Sequence, residues 1–237
     1  MTRPWTLPEV TGIGRLPMHS VVHQERRELD GRWRFQLLRS PNDQPGEEWS
    51  EADVPGLWTM AGTSDTPHYT NVQMPFAGLP PEIPALNPTG VYEREFEVPA
   101  AWREDGRRVV LHVGAAESVL IVEVDGEEIG VAKDSHLASE FDLTGRLGAG
   151  SHTLRLTVVK WSDATYVEDQ DQWWHGGITR SVFLYSTRDV HLADVRVDVG
   201  LEGTDLSTGT LDLTVAVGFP GRELPAGWMV EAELEGT

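Results

Sequence analysis

The 237-residue chain contains no cysteine, so it has neither a disulfide framework nor a thiolate that could act as a nucleophile or metal ligand. Basic residues are also scarce, because 19 Lys and Arg stand against 38 Asp and Glu, which gives a formal charge of −19. A nucleic-acid-binding surface needs a positive footprint. The charge balance therefore predicts that nucleic acid is not a partner, and the missing cysteines fit a reducing compartment.

Long apolar segments are missing as well. No run approaches the roughly 18 consecutive apolar residues that a membrane-spanning helix needs. Residues 1–23 contain no uninterrupted apolar segment of the kind found in signal peptides. Hydrophobic residues nevertheless make up 39% of the chain and include nine Trp, which is too apolar for a disordered protein. We therefore expect a folded, soluble, cytoplasmic protein without a membrane partner.

Helical periodicity is the third absence, since no window predicts a helix of ten or more residues. Alternation of apolar and polar residues instead predicts a series of strands. In RWRFQL, for example, Trp33, Phe35 and Leu37 share one face. Asp125-Gly126 marks a hairpin between two alternating segments. Further strands are predicted at GVYEREFEV, RRVVLHV, SVLIVEVDGEEIGVAK, HTLRLTVVK, SVFLYS, VHLADVRVDV and LDLTVAV. The predicted fold class is all-β, and the frequent Pro and Gly residues suit a sandwich or jelly roll.

Two regions interrupt this pattern. Between about residues 54 and 89, proline is too dense for a central strand. The aromatic and Met content there predicts an ordered loop, and such loops on β scaffolds commonly carry binding residues. A boundary falls near residues 186–190, after which about 50 residues resemble the first three strands of another sandwich, ending in WMVEAELE. Because an immunoglobulin-like sandwich takes about 100 residues, we expect the chain to be the N-terminal piece of a longer protein.

The most unusual stretch is WSDATYVEDQDQWWHGGITR at residues 161–180, in which four acids are interspersed with aromatic rings. In an extended segment Asp169 and Asp171 would share a face about 6.6 Å apart. Retaining glycosidases need two carboxyl groups roughly 5–5.5 Å apart, but neighbours on one strand lie side by side and do not easily flank a scissile bond. A sugar or cation site suits the composition better, because carboxylates bind hydroxyls and hard cations while rings cover the apolar face of a sugar. A solvated turn beside core tryptophans is the alternative.

Several blocks taken together resemble the N-terminal sugar-binding domain of the large β-galactosidases of glycoside hydrolase family 2. They are VPGLWTM, HYTNVQMPF, NPTGVYEREFEVP, DSHLASEFDLTGRL and the WSD…EDQD…GITR segment. Their order and spacing match the family over about residues 28–190. The resemblance implies an N-terminal arm at residues 1–27 and a jelly-roll, galactose-binding-like sandwich at residues 28–188. Residues 189–237 are then expected to begin an immunoglobulin-like domain.

The resemblance also implies roles for individual residues. Asn71, in YTNV, is expected to contact galactose. Asp171, the second Asp of EDQD, is expected to contact the galactosyl 6-hydroxyl and to coordinate a sodium ion. No catalytic residue is expected in this chain, because the family's acid/base Glu follows an Asn and the sequence contains no Asn-Glu pair. Glu168 and Asp169 are expected to be structural hydrogen-bonders, and the tryptophans to be core residues.

Some family members bind magnesium through their N-terminal segment, a Gln before a DS dipeptide and the Asp of WSD. Here Asp163 is retained, but Lys133 precedes Asp134-Ser135. A protonated lysine cannot ligate a divalent cation, so magnesium is not predicted at this position.

The resemblance finally implies the partners and the overall function. The partners are a β-galactoside such as lactose and the rest of the enzyme chain with its catalytic TIM barrel, in a homo-oligomer. The prediction is the sugar-binding portion of a retaining β-galactosidase, inactive without the barrel that holds its two catalytic Glu. Two alternatives belong to other functional classes. A free-standing carbohydrate-binding module would bind sugar by itself, and a purely structural buttress domain would contact no ligand.

Overall fold

The structure, a computed structural model, describes residues 3–23, 25–69, 74–103, 107–168, 170–204, 206–219 and 226–235. These residues form strands joined by loops and short 3-10 turns, together with one four-residue α-helix, α1 (Ala100–Arg103). The prediction of an all-β fold is confirmed. In the described part of the chain, no helix has the length and apolar character needed to cross a membrane. The chain divides into two compact units, one of residues 1–18 and 23–186, the other of residues 19–22 and 187–237.

The first unit contains two main sheets. The seven strands of the larger sheet are β1 (Gly12–Ile13), β3 (Gly31–Leu38), β4 (Ser50–Val54), β7 (Thr89–Glu97), β10 (Val119–Val124), β11 (Glu127–Lys133) and β13 (Ser151–Val159). Their spatial order is β1-β11-β10-β13-β7-β3-β4. The strands of the second sheet are β2 (Arg26–Glu28), β8 (Arg108–Val113), β12 (Ser139–Asp142) and β16 (Val182–Thr187). Their order is β12-β8-β16-β2.

One hydrophobic core joins the two sheets. Leu154 and Leu156 in β13 pack in the same cluster as Leu111 in β8 and Leu184 in β16, and all four are completely buried. Buried and partly exposed residues alternate along β13, because successive side chains of a strand point to opposite faces. This alternation is the pattern from which the strands are predicted.

The hairpin between β10 and β11 agrees with its sequence signal. Asp125 and Gly126 have φ values of 52° and 80°, and a type I′ turn requires positive φ at both central residues. A two-residue strand, in contrast, is too short to show any periodicity. Besides β1, five such strands are described in the first unit: β5 (Gly56–Leu57), β6 (His68–Tyr69), β9 (Ala116–Glu117), β14 (Trp173–Trp174) and β15 (Gly177–Ile178). They form two small sheets, β14-β6 and β5-β15-β9.

The N-terminal residues contribute to the first unit. Trp5, in a 3-10 turn, is buried in a small apolar cluster with Val119 and Val159. Farther along, β1 pairs with β11, so Gly12 lies opposite Ala132. The boundaries predicted after residues 27 and 188 stay predictions.

The second unit is a two-stranded antiparallel sheet of β17 (His191–Glu202) and β18 (Thr208–Gly218). Val197 lies opposite Leu213, and Val199 opposite Leu211, so one face of the sheet is apolar, and these four side chains are exposed. The third strand predicted at WMVEAELE is wrong, since residues 226–235 contain no strand. A strand is defined by hydrogen bonds to a neighbour, and an extended sequence pattern does not supply one. The immunoglobulin-like assignment stays a prediction.

Candidate functional site

Asp171 lies exposed at the surface, just before β14. In the β14-β6 sheet, Trp173 is opposite Tyr69 and Trp174 is opposite His68. The Tyr69 hydroxyl donates a hydrogen bond to Oδ1 of Asp171. Among the described residues, the Asp171 side chain accepts a hydrogen bond from Tyr69 alone. A carboxylate offers about four acceptor positions, so Asp171 keeps acceptor capacity for a ligand.

The two tryptophans of β14 differ in their surroundings. Trp174 is 1% exposed and packs against Trp161, with 5.9 Å between ring centroids. Trp173 is 57% exposed and lies beside Tyr69, with 5.6 Å between ring centroids. The expectation that the tryptophans are core residues is confirmed for Trp161 and Trp174 and is wrong for Trp173. The physical reason is that adjacent residues of a strand face opposite sides.

Two contacts hold the acidic segment on either side of Asp171. Glu168 accepts hydrogen bonds from the Ser135 backbone N–H at 3.2 Å and from the Ser135 hydroxyl at 2.5 Å. The side-chain nitrogen of Gln172 lies 2.9 Å from Nε2 of His136. Glu168 is therefore a structural hydrogen-bonder, as expected. Both contacts join the EDQD block to the DSH block, which lies more than thirty residues earlier in the chain.

Two of the predicted residues lie outside the described residues. Asn71 belongs to the segment 70–73, two positions after Tyr69, and Asp169 is the residue directly after Glu168. The substrate contact predicted for Asn71 and the hydrogen-bonding role predicted for Asp169 therefore stay predictions.

A buried ion pair fixes the loop that leads to β6. The Lys160 ammonium is completely buried and lies 2.9 and 2.8 Å from the two oxygens of Asp65, and it also donates to the Thr66 carbonyl at 2.8 Å. Oδ2 of Asp65 accepts a further hydrogen bond from the indole N–H of Trp58 at 2.8 Å. Burial lowers the pKa of Lys160, and the hydrogen bond and charge of Asp65 act in the opposite direction. Burial also lowers the pKa of His68, the first residue of β6, with the Lys160 charge as the second cause.

Small residues allow the chain after β14 to approach this loop. A Cβ atom on Gly176 would lie 2.1 Å from the Trp58 ring, which no side chain could tolerate. Gly177 then pairs with Leu57 on one side and Glu117 on the other. Close packing therefore explains the two glycines at positions 176 and 177.

A second carboxyl group near the acidic segment, that of Glu117, is buried. Glu117 is 6% exposed, and one of its oxygens accepts a hydrogen bond from the His175 backbone N–H at 2.8 Å. Its other oxygen lies 3.8 Å from Nδ1 of His136. Burial raises the pKa of Glu117, the His175 hydrogen bond and the His136 charge act to lower it, and the Glu168 charge raises it further.

The described residues do not form a complete cation site. Among them, no group of three or more His, Asp or Glu side chains is arranged to hold a metal ion. Asp171 would supply a carboxylate oxygen to sodium, but a hard cation needs several oxygen ligands. Asp163 is paired with the Lys133 ammonium at 2.6 Å, which also donates to the Leu7 carbonyl at 2.8 Å. The Asp163 carboxylate is therefore already paired with the positive charge of Lys133.

Three residues of this site are not assigned by the sequence pattern. Lys160 precedes the WSD block without any spacing that announces a buried ion pair. Tyr69 stands in the HYTNVQMPF block, two residues before Asn71, and that position is the signal that could have identified it. For Trp173 the signal is the Trp-Trp dipeptide, because two adjacent residues of a strand point to opposite faces.

Residues 26–188 match the family described as glycosyl hydrolases family 2, sugar binding domain. The β-galactosidase of Aeromonas hydrophila subsp. hydrophila is 37% identical over 227 residues, a match that covers 84% of this chain and 22% of that protein. The β-galactosidase of Yersinia pestis is 33% identical over 244 residues, covering 94% of this chain and 23% of that protein. The chain thus spans less than a quarter of the length of these curated relatives.

Solved structures with similar folds include other glycosidases. The β-glucuronidase of Bifidobacterium dentium, complexed with coumarin-3-O-glucuronide, has a TM-score of 0.61 at 22% identity and covers 85% of this chain and 37% of that chain. The β-D-mannosidase of Dictyoglomus thermophilum has a TM-score of 0.58 at 18% identity and covers 82% of this chain and 26% of that chain. At such identities these similarities establish the fold alone.

Replacing Lys160 by Met should lower the free energy of unfolding by about 3–5 kcal/mol, because the Asp65 carboxylate is left buried without its counter-charge. The change is measured by urea unfolding followed by tryptophan fluorescence, which reports mainly the first unit because only Trp228 lies in the second. The double variant Lys160→Met/Asp65→Asn is the control, and it should recover part of the loss. If the unfolding free energy of Lys160→Met were within about 1 kcal/mol of the parent value, the ion pair with Asp65 would not be a major contribution to stability.

Replacing Glu117 by Gln should change the pH dependence of stability. A carboxyl group whose folded-state pKa is raised above its ordinary 4.5 stabilises the protein fully below that value and loses this contribution as the pH rises through the folded-state pKa. The unfolding free energy of Glu117→Gln, minus that of the parent, should therefore increase from about pH 4 to about pH 7. Glu48→Gln, at an exposed position, is the matched control and should give a flat difference. If the free-energy difference for Glu117→Gln did not change with pH, the pKa of Glu117 would not be raised in the folded protein.

Proposed function

Because the chain belongs to the glycosyl hydrolases of family 2 through their sugar binding domain, we propose that it is the sugar-binding portion of a retaining β-galactosidase. Its substrate class is terminal β-D-galactosides such as lactose. The observation that carries the proposal is the exposed Asp171 carboxylate, which Tyr69 orients through Oδ1. The β-galactosidases of Aeromonas hydrophila and Yersinia pestis, more than 30% identical to this chain, support the substrate class.

The chemistry of the carboxylate suits a hydroxyl ligand. One oxygen of Asp171 is engaged by Tyr69, and the remaining acceptor positions can receive hydrogen bonds from sugar hydroxyls. A hydrogen bond to a charged group is worth about 1.5–3 kcal/mol. Because Glu168 and Gln172 are both tied to the DSH block, the carboxylate between them is held in place before the ligand arrives, which limits the entropy cost of binding.

The charge of Asp171 favours a galactoside over a glucuronide. A glucuronide carries a carboxylate at C6, whereas a galactoside carries a hydroxyl there. If Asp171 contacts the C6 group, a second carboxylate would be repelled, while a hydroxyl would donate a hydrogen bond. The charge at Asp171 therefore favours a galactoside, although the solved structures of similar fold include a β-glucuronidase.

In the proposed reaction, this chain binds and orients the galactosyl unit, and the bond-breaking groups lie elsewhere. A retaining glycosidase works by double displacement with an acid/base and a nucleophilic carboxyl group. The resemblance places both as Glu residues in a TIM barrel outside these 237 residues, and the sequence contains no Asn-Glu pair. The chain alone is therefore expected to hydrolyse no galactoside.

Further parts of the proposal concern the complete enzyme. Sodium at Asp171 remains a proposal in which the other ligands come from beyond the described residues. Asn71 is proposed as a second galactose contact. A homo-oligomeric enzyme in the cytoplasm is proposed from the resemblance.

The direct test of the function replaces Asp171 by Asn in the full-length enzyme. The variant should lower kcat/KM for a nitrophenyl β-galactoside by about 10–100-fold, the equivalent of one charged hydrogen bond. It should also reduce the ratio of kcat/KM for the galactoside to kcat/KM for the corresponding glucuronide. The reason is that Asn no longer carries the negative charge that repels the glucuronide carboxylate. Asp43→Asn, at an exposed position away from the acidic segment, is the matched control. Activity within about twofold of the parent would favour the structural buttress domain.

Isothermal titration of galactose into the 237-residue chain, with and without sodium, distinguishes the remaining alternative. We expect no binding at millimolar sugar, because the barrel that completes the site is missing. Sodium-dependent binding that disappears in Asp171→Ala would instead identify a free-standing carbohydrate-binding module.

A further inference from the structure

Trp173 exposes a large apolar surface next to Asp171. Its side chain is 57% exposed, and that of its neighbour Tyr69 is 45% exposed. The two rings are tilted by 47°, with 5.6 Å between their centroids. Exposed aromatic surface beside polar groups is typical of binding surfaces.

The core does not account for this ring. Trp174 supplies the buried aromatic contact of β14 by packing against Trp161. The pairing of β14 with β6 is made by backbone groups and does not depend on the side chain at position 173. The Trp173 indole is therefore available for another purpose.

Three groups lie together on the outward side of this small sheet. Asp171 lies in the bend just before β14, two residues ahead of Trp173. Tyr69 lies directly opposite Trp173 and donates its hydroxyl to Asp171. A hydrogen-bond acceptor and an aromatic surface are thereby held at one place.

This combination matches the two kinds of surface on a pyranose. The ring hydroxyls need acceptors, and the C–H face needs an apolar platform. A protein surface is a poorer match, because covering Trp173 with protein would also desolvate the neighbouring carboxylate, which is costly unless a donor is supplied. A sugar supplies such donors as hydroxyl groups.

We propose that Trp173 is a substrate-contact residue, whose indole receives the C–H face of the pyranose that Asp171 binds through a hydroxyl. This assignment rests on the proposed function and adds the residue that supplies the apolar half of the contact. Tyr69 is the positioning residue of the same surface, since it orients Asp171 and flanks the indole.

Kinetics of the full-length enzyme test the assignment. Trp173→Ala should raise KM for a nitrophenyl β-galactoside, and the inhibition constant of galactose, by about tenfold, with kcat changed by less than about threefold. Trp173→Phe, which keeps an aromatic face, should restore both constants to within about threefold of the parent. Trp228→Ala is the matched control, because Trp228 is 54% exposed in the second unit.

The outcomes separate this inference from the function on which it rests. If Asp171→Asn is impaired but Trp173→Ala is not, the inference fails and the proposed function stands. If both variants behave like the parent, both fail. If Trp173→Ala and Trp173→Phe lose activity equally and unfold at a lower temperature, the ring is a protein-packing residue and the inference is overturned.

A fluorescence measurement keeps the inference testable if Trp173→Ala does not fold. The difference in emission between the parent and Trp173→Phe isolates the signal of this indole. Galactose should shield that signal from iodide quenching in the full-length enzyme. Unchanged quenching at saturating galactose would overturn the inference.

Discussion

The buried contact between Lys160 and Asp65 is the constraint on which the candidate site depends. An ammonium group that is completely buried needs a counter-charge and hydrogen-bond acceptors, since an unpaired buried charge is among the costliest defects a core can contain. Asp65 and the Thr66 carbonyl meet that need, and they do so only if the loop before β6 follows one path. Lys160, the residue directly after β13, thereby determines where β6 begins and where Tyr69 meets Asp171.

The small sheet of β6 and β14 divides its side chains between folding and function. Trp174 faces the core and packs on Trp161, while Trp173 and Asp171 lie at the surface. A two-residue strand pair is too small to be stable alone. It is ordered here because its inner face belongs to the core and because the DSH block holds the acidic segment at Glu168 and Gln172. Trp173 and Asp171 are consequently exposed on a scaffold whose core packing does not involve their side chains.

The sequence predicts this fold well where a physical pattern is long enough to repeat. Alternation identifies the long strands, and the Asp125-Gly126 turn has the backbone conformation that its residues favour. The same reasoning fails for WMVEAELE, because an alternating pattern does not reveal whether a neighbouring strand is present to pair with. It does not predict β6 and β14, because a two-residue strand is too short for a pattern to repeat and because both strands depend on contacts distant in sequence. The sequence identifies Asp171 as a candidate through its motif, whereas the hydrogen bond by which Tyr69 orients it forms only when the chain is folded.

A crystal structure of the full-length protein with a bound galactoside would test the central claim most directly. The claim is that the surface formed by Tyr69, Asp171 and Trp173 is one wall of a sugar site. We expect a galactosyl hydroxyl within about 2.6–3.2 Å of an Asp171 oxygen, with the indole of Trp173 against the C–H face of the sugar. A galactosyl unit bound elsewhere, with Asp171 and Trp173 covered by protein and in contact with no ligand, would contradict the account.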